Sequence, residues 1–488
     1  MRLSDSLEPV LAPVTQIHRP MPERVARAAS RVAVGLLTLT IAYPVLAQAS
    51  PSKSDIGHVV DSLAADFIAA RGAPGVSIGV FRRGDTLAFG GWGMTDIEND
   101  VPATARSVYR IGSITKQFTA AAVMKFVEAG TVRLDDSIGT YLPTLPATWR
   151  GATIRELLNH TSGIPSYTDI GARWTRRWGE EMTPDTLVAM TAKDSMWFRP
   201  GTSWRYDNSG YVVLGMLVEK LAGRPWAQEI AERFAEPLDL SDTRNCVTRD
   251  IIVRRAHGYE PSSEGSFVNA TYLAMSQPYA AGALCSTVGD LGRWNHALAT
   301  GQVVSPQSYR LMTMPEGAAA AAPMKYGFGL ARDTLAGHVV ITHGGGIPGF
   351  ISANAYFPDA DVSVTVLTNS GAARADALLA QVARAALGVP LRRPPLRAAI
   401  PAADPARYVG VYALRVGKHS ADFTFTDHHG DLYAQLGGQA ASALVPLGND
   451  VFGASFDPSV RITFTVANGN ATRVTLFQGG RTMVGLRK

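Results

Sequence analysis

A proline-rich stretch toward the C-terminal end divides the chain into two parts with different residue patterns. Its prolines stand among arginines and alanines, a composition typical of a stiff, extended linker: Pro390, Pro394, Pro395, Pro401 and Pro405. We place this linker at residues 389–405, between a domain at 55–388 and a C-terminal domain at 406–488. A chain of 488 residues is also too long for one ordinary domain.

The larger part has the element order of an α+β domain. Its predicted elements are, in chain order, helix 56–70, strands 75–81 and 86–89, helices 113–128, 153–160 and 211–221, strands 339–342, 352–357 and 362–368, and helix 372–387. Because strand patterns stand at both ends, we predict one sheet that draws on both ends of this part and is flanked by helices.

The C-terminal part alternates polar and apolar residues, as short strands do. Segments with this pattern are separated by glycine and asparagine turns: 422–426, 432–435, 462–466 and 473–477. We predict a small all-β domain, either a meander or a barrel.

The first 49 residues have the pattern of an export signal. Arginines precede an apolar stretch at 32–43, which is too short to span a bilayer comfortably and leads to the A-x-A cleavage site Ala47–Ala49. An uncleaved membrane anchor is the alternative. A start at Met21 instead of Met1 would give a signal of ordinary length. We expect the mature protein to be periplasmic or secreted.

The charge of the chain argues against a nucleic-acid partner. The formal net charge of +5 is small for this length, and no basic cluster is interleaved with aromatic residues. The composition is that of a globular protein, with 46% hydrophobic and 18% charged residues. The oligomeric state cannot be read from the sequence.

Ser113 and Lys116 are the first candidates for chemistry. Three residues apart on a helix, they share a face, so the lysine can reach the serine. Serine becomes a good nucleophile when a neighbouring base takes its proton, and a helix N-terminus favours the developing negative charge. Ser50 and Lys53 have the same spacing. The apolar approach to Ser113 and the long helix after it favour the later pair.

Two further motifs offer polar groups at places where site residues often lie. Tyr206 and Asn208 fall in a predicted loop after the Pro200-Gly201 turn. A phenol can exchange protons, and an asparagine offers both a donor and an acceptor to a substrate amide. His343 is followed by three glycines after a predicted strand, where a backbone N–H is open to an oxyanion. Each motif alone is more often structural.

Together the three motifs resemble the S-x-x-K, Y-x-N and K-T-G (or H-x-G) motifs of the serine β-lactamase and penicillin-binding-protein superfamily. Flanking segments are similar to its class C β-lactamase and D-alanyl-D-alanine carboxypeptidase branch, the S12 peptidase type: Pro74–Ser77, Leu157–Gly163, Gly282–Thr287, Asp290–Trp294 and Thr368-Asn369. The resemblance covers residues 55–388, and the C-terminal part resembles the small β-barrels appended to many S12-type hydrolases.

The resemblance implies a β-lactamase/transpeptidase-like sheet flanked by helices, with the site between the sheet and an all-helical lobe. It implies acyl transfer without a metal or an organic cofactor. Ser113 would attack a carbonyl and form an acyl-enzyme, while Lys116 and Tyr206 share the proton transfers. The backbone N–H groups of Ser113 and Gly346 would form the oxyanion hole.

The resemblance also implies which residues meet the substrate, an ester, amide or peptide. Asn208 would hold the substrate amide, Gly345 would line the site, and His343 would polarise Tyr206 or bind a carboxylate. Class C β-lactamases usually carry lysine at the position of His343, whereas esterases and D-aminopeptidases of the branch often have H-x-G. D-amino-acid peptides, β-lactams and carboxylic esters therefore all stay open as substrates.

Two functions from other classes remain as alternatives. The same fold could bind β-lactams or peptidoglycan as a sensor that is acylated and turns over slowly. A structural cell-envelope module with a vestigial site is the other, although an intact Ser–Lys–Tyr–Asn set argues against decay. Burst kinetics without turnover would favour the sensor.

Cys246 and Cys285 are the two cysteines of the chain. An oxidising compartment permits a disulfide between them, but the sequence does not show whether their Cα atoms come close enough. A pair of buried thiols is the alternative. A catalytic thiol is not expected, because Ser113 is the better nucleophile candidate.

Overall fold

The computed structural model describes residues 52–262, 266–391, 405–416, 419–428, 431–437, 442–448, 450–454, 460–478 and 481–488. The predicted export signal, and residues 392–404 of the predicted linker, lie outside the described residues. Within these ranges, no helix combines the length and the apolar character needed to cross a membrane.

The helices match the predicted positions closely and add short ones in the middle of the chain. They are α1 (Lys53–Ala69), α2 (Thr115–Glu128), α3 (Ile154–Leu158), α4 (Ala172–Thr175), α5 (Pro184–Thr191), α6 (Ser209–Ala222), α7 (Trp226–Ile230), α8 (Tyr279–Gly282), α9 (Val288–Ala299), α10 (Pro306–Thr313), α11 (Gly317–Ala321) and α12 (Ala375–Ala386).

The strands extend the predicted ones and include several that the pattern did not indicate. They are β1 (Gly75–Arg82), β2 (Asp85–Asp96), β3 (Val101–Pro102), β4 (Tyr109–Arg110), β5 (Arg244–Asn245), β6 (Tyr259–Pro261), β7 (Phe267–Asn269), β8 (Leu284–Ser286), β9 (Ala331–Leu335), β10 (His338–Ile347), β11 (Phe350–Phe357), β12 (Val362–Thr368), β13 (Gly410–Val416), β14 (His419–His428), β15 (Asp431–Leu436), β16 (Ser442–Gly448), β17 (Val451–Ala454), β18 (Arg461–Ala467), β19 (Asn470–Gln478) and β20 (Arg481–Arg487).

The central sheet joins the two ends of the larger part, as predicted. Its strand order is β3-β2-β1-β12-β11-β10-β9. The first and last long strands, β1 and β12, lie side by side and antiparallel, with Val76 opposite Thr368. This confirms an α+β fold. The central pairing of the sheet, β1 with β12, forms only after the chain has passed through the helical middle.

Helices cover both faces of the sheet, and this explains why β12 is buried along its whole length. Successive side chains of a strand point to opposite faces. Val366 therefore packs with the apolar side of α12, in the same cluster as Val382. Its neighbour Leu367 joins the larger cluster on the other side, together with Leu291 of α9. The helical lobe, which holds α3 to α8, belongs to that larger cluster.

The C-terminal part is a closed eight-stranded antiparallel barrel, β13 to β20, in which β20 pairs back onto β13. Aromatic side chains fill its interior, among them Tyr412, Phe425 and Phe464. The pattern indicated strands at the positions of β14, β15, β18 and β19. It did not indicate β13, β16, β17 and β20. In β16, Pro446 and Gly448 interrupt the alternation, and the ladder with β17 has a bulge there.

Candidate active site

Ser113 lies on a tight turn pressed against the central sheet. A single 3₁₀ turn, Gly112–Ile114, precedes α2, so the helix predicted from residue 113 begins two residues later. Gly112 has φ +51°, and a Cβ at this residue would lie 3.0 Å from the backbone nitrogen of Gly346. The turn thus needs glycine both for its backbone conformation and for the close approach of β10. Ser113 itself is half-buried.

Lys116 is completely buried and directs its amine at three oxygen atoms. Its Nζ lies 3.1 Å from Ser113 Oγ, 2.7 Å from Asn208 Oδ1 and 2.8 Å from the Ala281 carbonyl oxygen. Burial lowers the pKa of Lys116 to about 7, against an opposing effect of the Asp207 carboxylate. A neutral amine donates two hydrogen bonds and accepts one, so it can donate to the two carbonyl oxygens and accept the serine proton.

Tyr206 precedes α6 in an irregular segment, as predicted, and buries its hydroxyl. The ring is half-buried, whereas the oxygen has no exposed surface and no hydrogen-bond partner of ordinary geometry among the described residues. Lys116 Nζ lies 4.9 Å from the ring centre. Burial raises the pKa of Tyr206, and the nearby Ser113 hydroxyl opposes this only in part. The phenol therefore keeps its proton at neutral pH and can donate it.

Asn208 stands directly before α6, and its side-chain oxygen contacts Lys116. Its Oδ1 accepts from Lys116, and its Nδ2 donates to Thr168 Oγ1 at 3.1 Å. Its backbone N–H donates to Ser166 Oγ at 3.0 Å. In this structure Asn208 orients Lys116, in addition to any contact that the predicted substrate amide would make.

His343 lies inside β10 and not, as predicted, after the end of a strand. The ladder with β11 continues through the glycines, with His343 opposite Asn354 and Gly346 opposite Ile351. Its Nδ1 is 2.5 Å from the Gly344 carbonyl oxygen, and its Nε2 is 2.8 Å from the Tyr326 hydroxyl oxygen. The hydrogen bond of His343 thus goes to Tyr326, whereas the ring centre of Tyr206 lies 6.3 Å from that of His343. Burial, followed by the charge of Lys116, lowers the pKa of His343 to about 3, so the ring is neutral.

Of the three successive glycines, Gly345 is the one that leaves no room for a side chain. A Cβ at residue 345 would lie 1.9 Å from the Ile111 carbonyl oxygen and 2.5 Å from Ser352 Oγ. Ser352 Oγ already donates to that carbonyl at 3.0 Å. The turn with Ser113 can approach the strand only because residue 345 has no side chain.

We expect Gly345→Ala to lower kcat/KM by roughly 100-fold, because a displacement of about 1 Å at the nucleophile has effects of that size. It should also lower the melting temperature, since the clash is with the backbone. Gly344→Ala is the matched control, because a Cβ there would meet the Ser352 carbonyl oxygen at an ordinary 3.4 Å. Kinetics on a chromogenic ester and thermal unfolding measure both effects. Wild-type values for Gly345→Ala would contradict this reading of the strand.

The structure adds residues that the motifs did not single out. Tyr326, on a loop before β9, is fully buried against His343. Asp207, the middle residue of the Y-x-N motif, is buried and pairs with the buried His160 at 3.3 Å. The sequence offered a signal only for His160, which lies in the Leu157–Gly163 segment of the resemblance.

The other candidates lie apart from this cluster. Ser50 is outside the described residues, and Lys53 is an exposed residue at the start of α1. Of the two alternatives for the cysteines, the structure has free, buried thiols at Cys246 and Cys285 and no disulfide. A hydrogen bond from the Cys285 thiol lowers the pKa of Cys246, while burial raises the pKa of Cys285. In the described ranges, no group of three or more His, Cys, Asp or Glu side chains could hold a metal ion.

Comparison with known proteins identifies the family. The Beta-lactamase family model matches residues 60–388. Penicillin-binding protein 4* of Bacillus subtilis (strain 168) is 27% identical over 424 residues, which cover 81% of this chain and 91% of that protein.

Two solved structures resemble the larger part of the chain. A D-stereospecific amidohydrolase from Streptomyces sp. has a TM-score of 0.56 and 30% identity, and the match covers 66% of this chain and 95% of that one. The D-amino acid amidase of Ochrobactrum anthropi SV3, in complex with D-phenylalanine, has a TM-score of 0.61 and 25% identity over 68% of this chain and 98% of that one. Family, fold and relatives agree, and the chain belongs to the beta-lactamase family as a serine hydrolase of its S12 branch.

Proposed function

We propose that this protein hydrolyses amides or short peptides of D-amino acids through an acyl-enzyme on Ser113. The observation that carries the proposal is the contact of 3.1 Å between Ser113 Oγ and Lys116 Nζ. Burial lowers the pKa of this amine to about 7, so a large fraction of it is unprotonated at physiological pH. The preference for D-amino acid derivatives rests on the activities named for the two similar solved structures.

The first half-reaction begins when neutral Lys116 takes the proton of Ser113. The serine oxygen then bonds to the substrate carbonyl carbon, and the charge that develops on the carbonyl oxygen meets the backbone N–H groups of Ser113 and Gly346. Tyr206 donates its proton to the departing amine nitrogen as the carbon–nitrogen bond breaks. The Tyr206 phenolate then takes a proton from the ammonium group of Lys116, and both groups return to their starting states.

The second half-reaction releases the acid. Water attacks the ester carbon while the neutral Lys116 accepts a proton from it, and the proton passes back to Ser113 Oγ as the ester bond breaks. Asn208 and the Ala281 carbonyl hold the amine in place through both steps. No group from outside the chain is needed to balance these transfers.

The state of His343 favours substrates without a carboxylate at this position. A neutral imidazole supplies no positive charge, and both of its nitrogens already have partners in Gly344 and Tyr326. A lysine at this position would offer a cation to the carboxylate of a β-lactam or a peptide terminus. We therefore rank D-amino acid amides above β-lactams as substrates.

The proposal predicts that kcat/KM rises with pH and levels off above about pH 7. Burial lowers the pKa of Lys116 to about 7, so below that value the amine is protonated and cannot accept the serine proton. Each unit below the pKa should reduce kcat/KM about tenfold. Initial rates between pH 5 and 9 measure the profile. A rate that is flat from pH 5 to 9 would exclude Lys116 as the base.

A substrate panel on the purified protein tests the proposed activity. We expect turnover of D-phenylalanine amide and of p-nitrophenyl esters, and slower turnover of L-phenylalanine amide, nitrocefin and D-Ala-D-Ala peptides. A burst of one equivalent without steady turnover, on every substrate, would favour the sensor and overturn the proposal.

We also propose that this activity lies outside the cytoplasm, because the first 49 residues resemble an export signal. A secreted or periplasmic protein that begins at Ser50 would support this.

A further inference from the structure

A carboxylate and an imidazole lie buried directly behind the candidate active site. Asp207 stands between Tyr206 and Asn208, and its Oδ1 accepts a hydrogen bond from the Gly210 N–H in the first turn of α6. Its Oδ2 and its backbone nitrogen each lie 3.3 Å from His160 Nδ1. Both side chains are almost completely shielded from solvent. The proton transfers described above use neither of them.

Several features make this pair costly to the fold. His160 follows α3 in the left-handed region, with φ +63°, where glycine or asparagine is usual. Its Nε2 is buried and has no hydrogen-bond partner among the described residues. A buried carboxylate loses its hydration, and a pair of this kind seldom stabilises a protein relative to apolar residues. Strain and unpaired polar atoms of this type cluster at functional sites.

The His160 ring contacts both tyrosines of the site. Its centre is 4.3 Å from the ring centre of Tyr206 and 4.5 Å from that of Tyr326. Tyr326 in turn contacts His343. The ring centres of the two tyrosines are 6.0 Å apart, so the three rings form one cluster. The imidazole therefore packs against both the candidate proton donor and the partner of His343, while its Nδ1 faces Asp207.

The buried titratable side chains near Lys116 differ in charge. The titratable side chains around it are Tyr206 and Asp207 before α6, Tyr211 on α6, His160 after α3 and His343 on β10, and Tyr326 before β9 packs against His160. Burial keeps the tyrosines protonated and lowers the pKa of both histidines. Asp207 stands between two residues that contact the lysine: the Tyr206 ring centre is 4.9 Å from Nζ, and Asn208 Oδ1 is 2.7 Å from it. This buried carboxylate is the negative charge that opposes the desolvation of the lysine, and buried charges are screened little by salt.

We propose that Asp207 and His160 are positioning residues for the hydrolysis proposed above, on which this inference rests: Asp207 sets the proton affinity of Lys116, and His160 holds Asp207 and the Tyr206 ring in place. Without Asp207, burial alone would act on the lysine, and its amine would lose its proton at lower pH and become a weaker base. Without His160, the carboxylate would lose a neighbour and the phenol would lose the surface against which it packs.

Asp207→Asn tests the role of the charge, because asparagine has nearly the same shape and can still accept from the Gly210 N–H. The titration of Lys116 is read directly by NMR on protein labelled at the lysine ε-carbon; the chain has eight lysines, and Lys116→Arg identifies the signal. We expect the midpoint to fall by roughly one pH unit or more. Asp169→Asn is the control, because Asp169 is an exposed carboxylate paired with Arg205 and should leave the midpoint unchanged.

An unchanged midpoint in Asp207→Asn would overturn the proposal, whether or not the protein turns over any substrate. If Asp207→Asn fails to fold, Asp207→Ser provides the same test, because serine also serves at helix N-termini. In the kinetics, the acidic limb of the kcat/KM profile should shift to lower pH by the same amount as the Lys116 midpoint. Wild-type protein that titrates as expected but hydrolyses nothing would refute the proposed function and leave the electrostatic role standing.

Two substitutions separate a specific role of His160 from simple packing. Asparagine tolerates the left-handed conformation, and its Nδ2 can take the place of the imidazole Nδ1. We expect His160→Ala to reduce kcat by roughly 100-fold and His160→Asn to recover at least a tenfold part of this loss. Equal kcat values in the two variants, both of them folded by circular dichroism, would show that His160 only fills space.

Discussion

Ser113→Ala should reduce hydrolysis of every substrate by roughly 10,000-fold or more, because no acyl-enzyme can form without the serine oxygen. The residual rate would come from the proposed oxyanion-hole N–H groups of Ser113 and Gly346 and from substrate binding, which the substitution leaves in place. No neighbouring hydroxyl can replace the nucleophile, because Ser113 Oγ is the hydroxyl that Lys116 contacts among the described residues.

A fluorophosphonate probe, followed by peptide mass mapping, locates the nucleophile independently of turnover. The adduct should fall on Ser113 and be absent from Ser113→Ala. Ser305→Ala is the matched control, because Ser305 also starts a helix, caps α10 through the Ser308 N–H and has no lysine three residues later. This control should lose about 1 kcal/mol of stability and no activity. An adduct on Ser209 or Ser286 would contradict the assignment.

Lys116→Met should lower kcat/KM by roughly 100- to 10,000-fold on esters and amides alike, because both substrates require the serine proton to be removed. Methionine has a similar shape and no base. Lys125→Met is the control on the same helix: its amine is partly exposed, pairs with Glu128 and lies away from the site. Near wild-type kcat/KM in Lys116→Met would mean that another group is the base.

Tyr206→Phe should separate the two substrate classes and is best measured with the lysine variant. An amine leaving group needs the proton of the phenol, so we expect kcat/KM for an amide to fall by roughly 100-fold or more. p-Nitrophenolate departs without a proton, so the loss on its ester should be smaller. The double variant should be little worse on amides than Lys116→Met alone, if the two groups act as the one unit that we propose. Equal losses on ester and amide would make Tyr206 the partner of Lys116 in removing the serine proton.

Much of the fold could be predicted because its signals are local. Apolar spacing located α1, and an alanine-rich run without helix breakers, followed by Gly130, located α2. Short apolar runs located β10 to β12, although β10 continues through the glycines. The small all-β domain was predicted from four regular strands, with a meander or a barrel as alternatives, whereas β16 and β17 pair across a bulge that only their neighbours stabilise. His343 was expected after a strand, because three glycines weaken a strand by themselves. Pairing with β11 and the approach of Ile111 keep them in the sheet.

The sequence by itself determined the family resemblance, the candidate Ser113 and its lysine three residues later, since these depend on residue types and spacing along the chain. Only the tertiary structure decided that Asn208, 92 residues away, holds that lysine, and that Tyr326 is the partner of His343. It also decided that the variable position of the Y-x-N motif carries a buried carboxylate opposite His160. Burial controls the charge of a lysine or a histidine, and burial depends on which distant segments pack around it. Spacing along one chain segment contains no information about that packing.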